Sequence, residues 1–170
     1  MRLDSEFFLR DVLEVAPDLL GCNIMRGFTD NMVKKYKIVE VEAYRGEEDL
    51  ACHASKGRTE RTEIMYHKGG MVYVYLIYGM YWMLNIVCSV DGNPQAVLIR
   101  GVEGFNGPGK LTRKLEINGS FYGEDLANSQ RIWIERESDV NLKFTSTARI
   151  NIDYSGPVWS RKKWRFVLND

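Results

Sequence analysis

Residues 38–44 have the sequence IVEVEAY, in which small apolar side chains alternate strictly with larger and mostly polar ones. Successive side chains of a β-strand point to opposite faces of its sheet, so this alternation predicts a strand. The side chains predicted to face a core are Val39, Val41 and Ala43. Those predicted on the other face are Ile38, Glu40, Glu42 and Tyr44. A carboxylate thus lies two residues from an aromatic ring, with His53 in the next loop, which fits either a solvated strand face or a chemical site.

The length and composition of the chain predict a single globular domain over residues 1–170. The chain has 170 residues, of which 45% are hydrophobic, enough for a substantial core. We expect no membrane span and no signal peptide, because uncharged apolar runs are short and the start is polar. Three unevenly spaced cysteines predict reduced thiols in a cytosolic protein. With only two histidines beside them, the sequence predicts no metal site.

The charges sum to zero, which by itself argues against a protein that binds a polyanion. Their distribution is uneven, since the first 22 residues carry five acids against two arginines. Basic residues are in excess over residues 56–68, 100–114 and 155–170. A molecule with one acidic and one basic side would give this pattern, although scattered charges would give similar counts.

Residue spacing predicts an α+β domain whose curved, mostly antiparallel sheet is packed by a few helices and carries long functional loops. A first helix, capped by Asp4 or Ser5, runs to Gly21 and is either kinked or restarted at Pro17. A second helix covers residues 107–117. The loop over residues 45–70 is long enough to indicate a function. The predicted strands cover residues 22–28, 33–44, 71–78, 80–90, 95–102, 131–135, 145–152 and 164–168.

Several polar residues outside the opening strand have two possible roles. Asn85 interrupts an apolar strand, so its amide makes either a structural hydrogen bond or a ligand contact. Arg100 ends an apolar run and should meet a carboxylate or an anion. A glycine-flanked helix start at residues 107–110 is either an anion site or a plain helix start. The cations of the 45–70 loop either neutralise phosphates or face solvent: Lys56, Arg58, Arg61 and Lys68. Tyrosine-rich strands and basic loops together fit nucleic-acid binding.

Motifs in a fixed order over about residues 12–168 resemble the alkyladenine (3-methyladenine) DNA glycosylase family of the vertebrate type, methylpurine-DNA glycosylase. They are DLLG at 18–21, IVEVEAY at 38–44, EDLACH at 48–53, GGMVYVYLIYGMY at 69–81, Asn85, VLIR at 97–100, GPGKL at 107–111, INGSF at 117–121 and WRF at 164–166. So many ordered matches are far more specific than any one short motif.

This resemblance implies a role for each matching residue at the reaction centre. Glu42 matches the general base that activates a water to attack the sugar C1′ of a flipped nucleotide, and it would also stabilise positive charge on the sugar. Arg100 matches the residue that holds this water and Glu42 in place. Glu40, on the same strand face, is the competing carboxylate.

The resemblance also implies how DNA would be bound. Tyr44, His53 and Tyr75 match the walls between which the extruded base stacks, and Asn85 matches the residue that collides with the 2-amino group of normal guanine. Tyr78 matches the wedge that fills the gap left in the duplex. The residues implied to hold the DNA backbone are Lys56, Arg58, Arg61, Gly109 and Lys110.

The implied activity is monofunctional DNA base-excision repair. Its substrates would be 3-methyladenine, 7-methylguanine, hypoxanthine and ethenoadenine in double-stranded DNA, and its product an abasic site. We expect no cofactor, no metal, no membrane and a monomer, which is cytoplasmic and nucleoid-associated in a prokaryote or nuclear in a eukaryote. The alternative is a catalytically silent nucleic-acid-binding module of the same fold. Zero net charge, a short C-terminus and a short stretch at residues 105–109 depart from the family pattern.

Overall fold

A computed structural model of the chain describes residues 1–137 and 142–170. These residues contain four short helices: α1 (Ser5–Phe8), α2 (Val12–Leu19), α3 (Pro108–Lys114) and α4 (Gly156–Ser160). They also contain nine strands: β1 (Asn23–Gly27), β2 (Val33–Arg45), β3 (Val72–Ile77), β4 (Tyr81–Cys88), β5 (Gln95–Val102), β6 (Phe105–Asn106), β7 (Ile132–Glu135), β8 (Phe144–Thr147) and β9 (Arg165–Leu168). Every pairing among the described strands is antiparallel, which confirms the predicted α+β fold class.

The 13-residue strand β2 joins the two parts of the sheet. Its first residues pair with β1, from Gly27 opposite Val33 to Asn23 opposite Lys37. Its second half pairs with β5 on one edge and with β9 on the other. The main path through the sheet is β3-β4-β5-β2-β1-β7, with β6 on β5 and β8 on β9. The strand predicted to carry the site therefore lies in the interior of the sheet.

An irregularity in β2 places Ile38 on the face of Val41 and Ala43. The register with β5 shifts between Ile38 and Glu40 and again between Glu40 and Val41. As a result Ile38 lies in the main core together with Val41, while Val39 is only partly buried. The prediction that Ile38 shares the face of Glu42 was therefore wrong, because a strand irregularity re-aims side chains in a way that simple alternation cannot show.

Two apolar clusters lie on opposite faces of the sheet. The larger one packs α2 and α3 against β2, β4 and β5, and its β3 members are Val72 and Val74. The smaller one includes Tyr73 from the other face of β3, with Met65 and Tyr66 from the 45–70 loop. Two 3₁₀ helices, His53–Lys56 and Glu63–Tyr66, shape this loop. The long loop therefore folds over the sheet and encloses a second, smaller core.

The helices near the N-terminus differ in detail from the prediction. Asp4 caps α1 through the backbone N–H of Phe7, as expected, but the predicted single helix is two helices. Asp11 caps α2, and Pro17 lies inside α2, which continues to Leu19 without restarting. The second cap explains the division, since a carboxylate that accepts a backbone N–H begins a new helix.

Two predicted elements towards the C-terminus extend too far. Helix α3 ends at Lys114, three residues before the predicted end, and Glu116 follows with a φ of 53°. Strand β8 ends at Thr147 instead of residue 152, because the buried Arg149 leaves the sheet to bind Asp49. The loop predicted between the last two strands contains α4.

The three cysteines, Cys22, Cys52 and Cys88, are buried free thiols, as the sequence predicts. In the described parts of the chain, residues 1–137 and 142–170, the helices are too short and insufficiently apolar to cross a membrane.

Candidate active site

The carboxylate of Glu42 is completely buried and is surrounded by three donors. The Tyr44 hydroxyl donates to Oε1 at 2.9 Å, and Arg100 Nη1 approaches the same oxygen at 3.4 Å. The backbone N–H of Ile150 donates to Oε2 at 2.6 Å. The side chain has 0% of its surface exposed. A carboxylate offers about four lone-pair sites, so these donors fix its orientation and leave room for about one more partner.

Glu42 receives these donors because of its place in the sheet. Tyr44 follows it by two residues on β2 and lies on the same face. Arg100 lies on the neighbouring β5, at the place where the register with β2 skips one residue. Strand irregularities of this kind re-aim a side chain, and here Arg100 reaches the carboxylates of β2.

A buried ion pair holds the segment that carries Ile150. Arg149 Nη1 and Nη2 donate to the two carboxylate oxygens of Asp49 at 2.6 and 2.9 Å, and both side chains are 0% exposed. Arg149 also donates to the carbonyl of Ala43 at 3.0 Å, and its guanidinium lies 4.9 Å from the Tyr44 ring centroid. The residue next to Ile150 is thus attached to β2 itself, which fixes the third donor of Glu42.

Glu40 also accepts hydrogen bonds from arginine side chains. Its Oε1 accepts from Arg100 Nε at 3.2 Å and from Arg165 Nε at 2.6 Å. Arg100 therefore contacts both carboxylates, which confirms the prediction that it meets a carboxylate. Two carboxylates and two guanidiniums balance one another's charge at this part of the sheet.

A pocket whose wall includes Tyr44, the hydrogen-bond partner of Glu42, lies on the face of the smaller core. The four residues predicted to bind the base all line it: Tyr44, His53, Tyr75 and Asn85. Its other lining residues are Ala51, Cys52, Met65, Tyr73, Ala96 and Tyr154. The structure brings the predicted residues together, while their individual roles remain predictions.

The aromatic rings of the pocket contact one another. The ring centroids of His53 and Tyr75 lie 4.5 Å apart at an interplanar angle of 65°. A planar group stacked between two rings needs about 7 Å between them, twice the ordinary contact distance, so it cannot enter between this pair. His53 Nδ1 lies 2.9 Å from the Tyr73 hydroxyl, which fixes the imidazole on its other side.

The environment determines the protonation of these groups. Burial, with repulsion from Arg61 and Lys56, lowers the pKa of His53 to about 4, so the imidazole is neutral at neutral pH. Burial and the Glu42 carboxylate raise the pKa of Tyr44 well above its ordinary value, so its hydroxyl remains a donor. Burial also raises the pKa of Cys52 to about 12, which excludes a thiolate nucleophile in this pocket at neutral pH.

Asn85 has the structural hydrogen bonds that its position requires. Its Nδ2 donates to the carbonyl of Tyr73 at 3.2 Å and lies 3.4 Å from the carbonyl of Met83. The side chain is buried and at the same time lines the pocket. The sequence left open a structural hydrogen bond or a ligand contact for Asn85. The structure is compatible with both, because the amide nitrogen bonds to the sheet while the residue still lines the pocket.

Tyr78 lies at the tip of the hairpin that joins β3 to β4. Its φ is 52° and that of Gly79 is 64°, and Met80 N–H donates to the carbonyl of Ile77. Two consecutive positive φ values at the central positions are typical of a type I′ turn. The Tyr78 side chain is 87% exposed. A tight turn therefore holds an aromatic ring in solvent, with a backbone conformation that is unfavourable for tyrosine.

The basic residues predicted to hold DNA are all exposed, with different surroundings. Lys56 and Arg61 line a groove that shares His53 and Tyr154 with the pocket, and Arg61 lies 4.9 Å from the Tyr75 ring centroid. Arg58 makes a two-point ion pair with the carboxylate of Glu63, so a phosphate would compete with that carboxylate.

The predicted contacts at the start of α3 lie on a different element. Gly109 packs tightly against Tyr81, because a Cβ at this position would lie 2.8 Å from the Tyr81 ring. This close approach explains the glycine without a ligand. Lys110 is exposed on the same turn of α3, where a phosphate could reach it.

Several site residues were not identified from the sequence. Tyr73 shares the β3 face of Tyr75, so the alternation contained a signal for it. Ile150 acts through its backbone N–H, which no side-chain pattern shows. Tyr154 and Arg165 come from the last 20 residues, and only the folded chain places them beside β2 and the 45–70 loop.

Comparison with known proteins gives a consistent result. The family model described as methylpurine-DNA glycosylase matches residues 6–106 and 104–170. A protein of Borrelia garinii subsp. bavariensis is 41% identical over 99% of this chain and 96% of its own length. A Natranaerobius thermophilus protein is 39% identical over 100% and 96%, and one from Rickettsia felis is 42% identical over 99% and 93%. Each of the three is provisionally named a 3-methyladenine DNA glycosylase.

Proposed function

Because the chain belongs to the methylpurine-DNA glycosylase family, we propose that it is a monofunctional base-excision-repair glycosylase that removes damaged purines from double-stranded DNA. Its substrates would be 3-methyladenine, 7-methylguanine, hypoxanthine and ethenoadenine, and it would leave an abasic site. The relatives compared above are bacterial, so the vertebrate type of the resemblance stays a prediction.

The observation that carries this proposal is the buried carboxylate of Glu42 beside an aromatic pocket. Three donors orient the carboxylate, and Tyr44 belongs both to this set and to the pocket wall. A module that only binds nucleic acid does not require a desolvated, oriented carboxylate, whereas an enzyme that uses a carboxylate as general base does require one. This arrangement supports hydrolysis over the alternative of a silent binding module.

In the proposed reaction, Glu42 accepts a proton from water while the water oxygen forms a bond to C1′. The N-glycosidic bond breaks at the same carbon, and the base leaves with the electron pair. Positive charge develops on the sugar, and the Glu42 carboxylate stabilises it. We place the water at the lone-pair site of the Glu42 carboxylate that its three donors leave free, on the side of Arg100.

Base selection would take place in the pocket. Since His53 and Tyr75 lie too close together to admit a base between them, we propose that the base stacks on this pair and that Tyr44 covers its other face. An electron-poor alkylated purine stacks favourably on electron-rich rings. Asn85 would disfavour normal guanine by contact with its 2-amino group, because the sheet hydrogen bonds at Nδ2 hold this side chain in place. In 7-methylguanine, which carries the same 2-amino group, the positive charge of the ring makes the base a better leaving group and offsets this contact.

Extrusion of the base would depend on Tyr78. Unstacking a nucleotide requires a few kcal/mol, and this requirement is smallest for a damaged or mispaired base. An aromatic ring held out by a tight turn can enter the stack and fill the gap. The backbone would be held by Lys56, Arg58, Arg61, Gly109 and Lys110, and such contacts make affinity depend on salt.

The test is release of hypoxanthine or a methylated purine from a duplex oligonucleotide by the purified chain. We expect release of free base, with strand cleavage only after alkali treatment of the abasic product. Binding of the duplex without release of any base would contradict the enzyme and leave the silent binding module. Strand cleavage without alkali would contradict the monofunctional reaction.

A further inference from the structure

The carboxylate of Glu40 lies two residues before Glu42 on the same strand, and its environment differs from that of Glu42. Among the residues that the structure describes, its carboxylate accepts hydrogen bonds from two guanidinium groups, Arg100 from β5 and Arg165 from β9. Strand β2 lies between these two strands, with Glu40 opposite Val167 of β9 and Glu42 opposite Arg165. Glu40 therefore connects the two edges of the site through a single oxygen, Oε1.

Arg100 uses different atoms for the two carboxylates. Its Nε donates to Glu40 at 3.2 Å, while its Nη1 lies 3.4 Å from Glu42. A guanidinium is planar and its donors form a rigid fork, so a partner at Nε fixes the direction of the Nη groups. The position of Arg100 relative to Glu42 is thus set by Glu40.

Arg165 is held in turn, which fixes Glu40 from the other side. Its Nη1 donates to the hydroxyl of Thr147 on β8 at 2.9 Å. The side chains of Glu40, Arg100 and Arg165 are 15%, 16% and 23% exposed, so solvent screens these contacts only in part. The chain of contacts runs from Thr147 through Arg165, Glu40 and Arg100 to Glu42.

We propose that Glu40 is a positioning residue that holds Arg100 to a single contact with Glu42, and so keeps the remaining lone-pair site of that carboxylate free for the attacking water. Without the Glu40 charge, Glu42 is the carboxylate partner that remains to Arg100 among the described residues, and a second N–H of the guanidinium turns onto Glu42 to make a two-point ion pair. That pairing occupies the lone-pair site that the water requires. This inference rests on the proposed function and assigns Glu40 no direct contact with the substrate.

The test compares Glu40→Gln with the unaltered chain in single-turnover base release and in duplex binding. Glu40→Gln is expected to release base roughly 10- to 100-fold more slowly, since misplacement by about 1 Å has effects of this size. Its Kd for the damaged duplex should stay within about twofold, because Glu40 touches no DNA in this proposal. Glu124→Gln is the matched control, since Glu124 pairs with Arg131 at 2.7 Å on another part of the surface and should leave the rate unchanged.

A double-mutant cycle with Arg100→Gln separates positioning from general structural damage. If Glu40 acts through Arg100, adding Glu40→Gln to Arg100→Gln should change the rate less than about twofold, since the two effects are not additive. If Glu40→Gln does not fold, Arg165→Gln takes its place, with a smaller rate loss that also disappears in the Arg100→Gln background.

Two outcomes would overturn the inference while leaving the proposed function intact. One is a Glu40→Gln rate within twofold of the unaltered chain, and the other is an equal loss in both backgrounds. Absence of base release by the unaltered chain would instead overturn the proposed function, and the positioning role with it.

Discussion

At the scale of single residues, the pocket contains a histidine that is neutral in the folded chain. Its imidazole is partly buried near Arg61 and Lys56, and the pKa of His53 is lowered from 6.5 to about 4. Between these two values the unfolded chain binds more protons than the folded chain. Stability therefore falls as the pH is lowered through this window and is insensitive to this group above it.

We predict that His53 makes the chain about 2 kcal/mol less stable at pH 5 than at pH 7. Urea unfolding at the two pH values measures the loss, and His53→Gln should remove that part of it. His67→Gln is the matched control, because it alters the chain's other histidine, which is exposed and pairs with Glu63. The same pH dependence in His53→Gln as in the unaltered chain would show that His53 does not titrate in this way.

Residue patterns predicted the chemistry of the site better than its geometry. Alternation along residues 38–44 placed Glu42 and Tyr44 on one face, and the structure joins them by a hydrogen bond. The same alternation failed for Ile38, because the register shifts at Glu40 depend on how β5 pairs with β2. Local spacing contains no information about a pairing partner some 60 residues away.

At the scale of elements, the position of Tyr78 in the β3–β4 hairpin lowers the stability of the folded chain. A tyrosine in the left-handed region is less favourable than asparagine by about 1 kcal/mol, and Asn-Gly is the preferred type I′ turn. The ring is 87% exposed, so it gains little from packing in the free protein. The proposed wedge would give a reason for a residue that the turn alone does not favour.

Tyr78→Asn is predicted to raise the free energy of unfolding by about 1 kcal/mol, because it creates an Asn-Gly turn. It should also slow base release from duplex DNA by roughly tenfold or more, while release from single-stranded DNA stays within twofold, since only a duplex has a stack to refill. Urea unfolding and single-turnover kinetics on the two substrates measure both effects. Equal slowing on both substrates would contradict the wedge.

The segment after β8 depends on one buried ion pair. Removing one partner of such a pair leaves an uncompensated buried charge, so we predict that Asp49→Asn destabilises the chain by about 3–5 kcal/mol. Asp18→Asn, which breaks the exposed pair between Arg10 and Asp18, should change stability by less than about 1 kcal/mol. Urea unfolding of both variants tests this, and a similar small change for both would refute the anchoring role of Arg149 and Asp49.

The bounds of two strands show which features of the fold local sequence can predict. The strand at residues 95–102 was predicted with its observed bounds, since apolar β-branched runs identify buried strands. The strand predicted over residues 145–152 ends at Thr147, because Arg149 has a tertiary partner that is 100 residues away in the chain. A long-range charge pair overrides local strand propensity.

At the scale of the whole molecule, β2 organises both the fold and the site. It joins the two parts of the sheet and carries Glu40, Glu42 and Tyr44 between the arginines of β5 and β9. The class of the fold could be predicted from alternating strands and turn residues. The order of the strands could not be predicted in this way. The placement of β9 beside β2 depends on pairing between residues that are about 125 positions apart in the chain.

The role of Glu42 as general base can be tested with Glu42→Gln, because this substitution preserves the shape of the side chain and removes the basic oxygen. The measurement is the single-turnover rate of hypoxanthine release from a duplex, with duplex affinity and thermal unfolding recorded for the same protein. We predict a rate lower by about 10²- to 10⁴-fold with duplex affinity retained, and a smaller loss for Glu40→Gln. A folded Glu42→Gln variant that releases hypoxanthine at the rate of the unaltered chain would show that Glu42 is not the general base.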